Sequence, residues 1–171
     1  MTGTGDLFRE VSTRKLAQLA GRIDVCLDRL SDDQIWARGS ENENAVGNLV
    51  LHLIGNTGQW ILSGVGGAPD IRARDNEFNE RSGASKEELK ARLAERIAAV
   101  NLVISGVSDA RLTHRIQVQR YDVSVLEAIY HVVEHFAQHM GQIVFATKLF
   151  TGQELGFYTH LKRPTHGEKT P

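Results

Sequence analysis

Between Tyr130 and Ile143 the chain sets His131, His135 and His139 at successive intervals of four, inside a run whose apolar residues recur at helical spacing. Four residues turn an α-helix by roughly 40° and raise it by about 6 Å, so neighbouring imidazoles of such a set can close on one ion. Imidazole nitrogen suits zinc, nickel, copper or iron. This helix is therefore read as carrying most of a mononuclear metal site.

The rest of the chain supplies helices to pack against it. Leu16, Leu19, Ile23, Cys26, Leu27 and Leu30 repeat at threes and fours and predict a first helix over 7–30. Asn44 can cap a second over 44–63, with Val46, Leu49, Val50, Leu53, Trp60 and Ile61 as its apolar stripe. Ser85 with Glu88 forms a capping box opening a third helix over 85–105. Asp122 can cap the fourth, 123–150, whose inward face is drawn broadly from Leu126 and Tyr130 through Phe136 to Thr147. Alternation around Ile116 and Val118 suggests a short extended piece, but with no second strand in view it is expected to cross the bundle rather than found a sheet. The irregular tail, 151–171, holds Phe157, Tyr158 and Leu161, which can pack back before the end frays.

Four long amphipathic helices without paired strands predict an all-α four-helix bundle in one domain, with a long crossover between the second and third. A connection of about 20 residues, 64–83, is long enough to be a lid, a binding loop or a solvated linker. It carries Arg72, Arg74 and Arg81 among acids, with Phe78 as its apolar anchor.

Twenty Lys and Arg against 21 Asp and Glu leave a net charge of −1, so no overall field points to nucleic acid. No apolar stretch approaches the ~18 residues of a membrane span and no targeting signal opens the chain. A cytoplasmic protein is expected. The single cysteine, Cys26, lies on the first helix's apolar stripe and reads as packing.

On a helical wheel His135 and His139 fall at the margin of the apolar face, where a ligand can have protein on one side and an open coordination position on the other. His131 turns farther toward Glu127 and Glu134, as a supporting group, an alternative ligand or a surface histidine. His52 stands over 100° from the centre of its own stripe, near Asn48, Asn56 and Gln59, facing a polar cavity or water. His114, His160 and His166 lie in irregular segments and are given no role. His131-Val132-Val133-Glu134-His135 also has the H-x-x-E-H form of one peptidase class, but the later acidic ligand such enzymes need has no helix to sit on. Glu-x-x-His, the unit of di-iron bundles, does not occur.

Asn48-Leu49-Val50-Leu51-His52-Leu53-Ile54-Gly55-Asn56 and His135-x-x-x-His139-x-Gly141-Gln142-Ile143 together resemble the DinB-like superfamily of four-helix bundles over Leu7 to about Phe150. With Arg72-Ala73-Arg74-Asp75-Asn76-Glu77-Phe78 between them, they resemble its DUF1572 branch. The resemblance implies one divalent metal, nickel or zinc, held by His52, His135 and His139 with open positions beyond. It also implies frequent homodimers, and relatives that act as transferases or isomerases dependent on a low-molecular-weight thiol (bacillithiol, mycothiol or glutathione).

Three function classes are carried forward. In the first, a thiol whose pKa is lowered by the cation attacks a small electrophile, with Gln142 or His131 orienting it and Arg72, Arg74 or Arg81 clamping a substrate carboxylate. Alternatively, within that enzyme class, the same open position serves hydrolysis. The second is a non-catalytic, metal-containing homodimer, stress-related or structural, and the third a metal-free binding module.

Overall fold

The periodic stripes become helices with definable ends. The long ones are α1 (Thr4–Arg29), α3 (Val46–Thr57) continued by a π-helical stretch (Gly58–Val65), α5 (Lys86–Ser105) and α7 (Val125–Thr151). In this computed structural model, which describes residues 3–163, 165 and 167, α1 packs on α5 and α7, and α3 with its continuation packs on the same two. The fold is an all-α bundle. Its centre is the line where the stripes meet: Leu16, Ile23 and Leu27 of α1, Leu53 and Ile61, Leu89 and Ile104 of α5, and Ile129, Phe136 and Ile143 of α7. Removing these side chains from water is the main source of stability.

Short elements close the ends. α2 (Asp32–Trp36) follows α1 and is capped by Ser31, α4 (Arg74–Asn79) lies within the crossover, and α6 (Asp109–Leu112) follows α5. Cys26 is fully buried, and burial pushes its thiol up, so it stays protonated and acts as the packing residue its position indicates.

Several sequence expectations need correction. The extended piece does found a sheet: β1 (Arg115–Val118) pairs antiparallel with β2 (Tyr121–Ser124). Gln119 and Arg120 turn the hairpin at φ 51° and 69°. Both central residues of a type I′ turn need positive φ, normally signalled by Asn-Gly, and Gln-Arg gives no such signal. Asp122 therefore belongs to the strand, where it receives Arg115, and does not cap α7. That cap is Ser124, whose Oγ accepts from the Glu127 N–H at 3.2 Å while the Glu127 carboxylate accepts from the Ser124 N–H at 2.6 Å. Similarly α3 starts after Ala45 rather than Asn44, with Asn48 Oδ1 accepting from the Ala45 N–H. On α7, Tyr130 is 60% exposed and Leu126 39%, because the core line runs one step round the helix through Val125, Ala128 and Val132.

The crossover is strapped onto α3. Asn48, His52, Asn56 and Gln59 form a polar stripe on a helix that is otherwise apolar, and three of them receive the strap. Asn48 Nδ2 donates to the carbonyls of Glu77 (2.8 Å) and Glu80 (2.9 Å). Gln59 Nε2 donates to Asp70 (2.8 Å) and its Oε1 accepts from Arg72 (2.9 Å). The stripe is thereby covered, which explains why α3 is buried almost all round. In the tail Leu155 is buried and Phe157 packs on the core, whereas Tyr158 and Leu161 stay exposed. His166 and most of the expected frayed end fall outside the described residues.

Candidate metal centre

α3 delivers His52 and α7 delivers His135 and His139 to one point. Their ring centroids are 5.0 Å (52 to 135), 4.9 Å (52 to 139) and 4.4 Å (135 to 139) apart. One ring nitrogen from each lies within 4.8 Å of the other two, and among the described residues these side chains form the group able to hold a metal ion. The tightest approach is His52 Nε2 to His135 Nε2, 2.9 Å. Two bare imidazole lone pairs at that separation repel, so the distance suits either an N–H of one neutral ring donating to the other or a metal ion held between them. Metal–nitrogen bonds of about 2.0–2.1 Å put two ligand nitrogens roughly 2.9–3.4 Å apart, the spacing of this pair.

The other nitrogen of His52 explains how either arrangement is accommodated. Nδ1 lies 3.0 Å from Glu77 Oε2 and 3.1 Å from Arg72 Nη2, an acceptor and a donor. Protonated at Nδ1, the ring donates to Glu77 and bares Nε2 for a metal. Protonated at Nε2, it accepts from Arg72 and donates to His135. Likewise Gln142 Oε1, 2.7 Å from His139 Nδ1, holds the proton there and frees His139 Nε2.

Glu77 is itself fixed. Arg72 forks onto it, Nε to Oε1 at 2.7 Å and Nη2 to Oε2 at 2.8 Å, with 4% of the Arg72 side chain and 10% of the Glu77 side chain exposed. Gly55, one turn after His52, makes the approach possible, since a Cβ there would overlap Glu77 Oε1. Burial alone would raise the Glu77 carboxyl, but the bonds to Arg72 and His52 outweigh it and hold the group below its ordinary range.

Electrostatics favour neutral donors. Burial, then the charges His139, His52, His131 and Arg72 would add, press the His135 pKa down to about 3. Burial lowers His139 and His131 too. At neutral pH these imidazoles keep the lone pairs a metal needs. The donor set fits a borderline cation such as zinc or nickel.

A pocket of about 560 Å³ opens onto the three histidines, rimmed by Asn44, Arg74, Asp75, Phe78 and Asn79. Phe78 packs on His52 at 4.8 Å between ring centroids, and the Arg74 guanidinium lies over the Phe78 ring at 4.8 Å from its centroid. Of the arginines singled out from sequence, Arg74 lines this pocket. Arg72 is held beneath it by Glu77, and Arg81 is turned to the carbonyls of Phe78 and Glu80. His131 lies beside the cluster, its ring 5.4 Å from His135 and 4.1 Å from Trp60. Glu77 and Trp60 had no part in the sequence reading of the site. The polar stripe on α3 was the signal for a partner there, but nothing in the strap marked which acid would supply it.

A family model described as "Protein of unknown function (DUF1572)" matches residues 4–162. No curated protein matches the chain. Among solved structures, one described as a conserved protein from Enterococcus faecalis is similar, with a TM-score of 0.69 over 84% of this chain and 97% of that one. At 16% sequence identity the likeness is one of fold.

Proposed function

The chain belongs to the DUF1572 family, and from that premise we propose that it is a DinB-like metalloprotein holding one divalent ion, nickel or zinc, on His52, His135 and His139. The proposed activity is transfer or isomerisation at a small electrophile with a low-molecular-weight thiol as cosubstrate. The observation that carries this reading is the 2.9 Å approach of two imidazole Nε2 atoms at the floor of an open pocket. A bound divalent cation would lower the pKa of a thiol or water and act as a Lewis acid.

The chain's own residues supply the rest. His52 is oriented by Glu77, and Glu77 by Arg72. Gln142 fixes the His139 tautomer. Phe78 shields one side of the site from water, which strengthens electrostatic interactions within it. Arg74 offers a cation at the rim for a carboxylate on thiol or electrophile.

A hydrolase would use the same floor. A non-catalytic homodimer is a second reading, and one observation favours a partner surface: α7 exposes Tyr130 (60%), Phe145 (71%) and Leu149 (71%) along its length. The readings separate by experiment. Protein prepared without chelator or nickel resin is expected to carry about one metal per chain. It should consume 1-chloro-2,4-dinitrobenzene or monochlorobimane only when a thiol is added, and lose that turnover on chelation. Metal without thiol-dependent turnover refutes the transferase and leaves the structural reading. Metal-free protein that takes up none refutes both.

A further inference from the structure

A second concavity, of about 610 Å³, lies between the crossover, α3 with its π continuation, and α5. Its floor is apolar, from Leu51, Ile54 and Leu62. At its lip Ile71 is 90% exposed, an isoleucine left uncovered by the described residues. Arg72 and Glu77 form one wall of it, and Glu77 reaches His52 behind that wall, but the groove and the histidine pocket have no lining residue in common.

The charges facing this groove are unevenly satisfied. Asp70 already accepts from Gln59 Nε2 and from the Arg72 N–H, and Glu77 is held by Arg72. Glu80 Oε1 accepts from the backbone N–H groups of Arg81 and Ser82. Across from these, α5 presents Arg92 and Arg96, four apart and so on one face. Arg92 has Glu88 in its neighbourhood, but Arg96 has no hydrogen-bond or ion-pair partner among the described residues. The Arg96 guanidinium instead lies on the bare backbone at Gly58, where a Cβ would come within 2.6 Å of Nη1.

We propose that this groove binds an amphiphilic anion, its apolar part over Leu51, Ile54 and Leu62 beside Ile71, and its carboxylate or phosphate on Arg92 and Arg96. Apolar burial with a charge-assisted contact at one end is the usual make-up of a small-molecule site. The site does not depend on the metal or on thiol chemistry.

The test is calorimetric titration of the full-length protein with octanoate, octyl phosphate and octanol, each below its micellar range. One anion per chain is expected to bind saturably, with octanol at least ten-fold weaker. Arg92→Ala combined with Arg96→Ala should weaken the anion at least ten-fold without changing the circular dichroism or the melting midpoint, while His135→Ala leaves anion binding intact. The tighter of octanoate and octyl phosphate identifies the headgroup. Absence of saturable binding, equal binding of octanol, or unaltered affinity in the double variant overturns the proposal.

Discussion

Glu77 Oε2 stands 3.0 Å from Nδ1 of His52 across 25 positions of sequence, which makes the crossover part of the histidine site. Glu77→Gln keeps an acceptor but loses the charge, and a partner of this kind is worth about 10–100-fold in metal affinity. The variant should fall in that range when zinc is titrated against a competing chelator. Glu77→Ala should cost more in folding, about 3–5 kcal/mol by denaturant unfolding, because Arg72 is left charged and buried. Arg72→Met with Glu77→Leu should recover most of that stability and none of the metal affinity. Recovery of both would mean that Glu77 does not orient His52.

His52, His135 and His139 are expected to fail singly. Each alanine variant should lower bound metal from about one per chain toward zero and reduce zinc affinity beyond 100-fold, while His131→Ala, whose ring stacks beside the cluster, should change it by less than ten-fold. Retention of full metal content by His52→Ala would remove α3 from the site.

How much of this was legible in the chain differs by element. The four long helices were, because their apolar residues repeat without interruption, through Leu16 and Ile23 on α1, Leu53 on α3, Leu93 and Ile97 on α5, and Phe136 on α7. The pair His135 and His139 was legible for the same reason, since helix geometry alone brings them together. The hairpin was not, because Gln119 and Arg120 are residues that rarely take positive φ and the second strand was hidden behind a plausible helix cap. The strap was half legible. Asn48, His52 and Gln59 announced a polar surface, but their strap partners are backbone carbonyls and side chains 11 to 32 residues away, which carry no local pattern.

Gly55 and Gly21 should respond oppositely to alanine. At Gly55 the new Cβ meets Glu77 Oε1 beneath the strap, an overpacking cost of about 1–3 kcal/mol. Metal affinity should drop with it as Glu77 is displaced. Gly21, exposed within α1 and with nothing within 4 Å of an added Cβ, should gain up to about 1 kcal/mol and about 2–4 °C in melting midpoint. Equal effects at the two sites in calorimetric melting would contradict the close packing of strap on helix.

Acid should destabilise the metal-free protein through its histidines before its carboxylates. The folded pKa of His135 lies at about 3 against an ordinary 6.5, and His131 and His139 are lowered in the same direction. Between those values the unfolded chain binds protons that the folded chain refuses. Their contribution is therefore whole above pH 6.5 and is lost as pH falls toward the folded values. Glu77, held below its ordinary 4.5, acts in the same sense at lower pH, present above 4.5 and lost beneath it. Chelated protein melted in steps from pH 7 to pH 4 should lose stability continuously, and His135→Phe should flatten the curve between 6.5 and 4. Saturating zinc should steepen it, because the metal competes with protons for the same nitrogens. A pH profile identical in wild type and His135→Phe would show that His135 does not resist protonation in the fold.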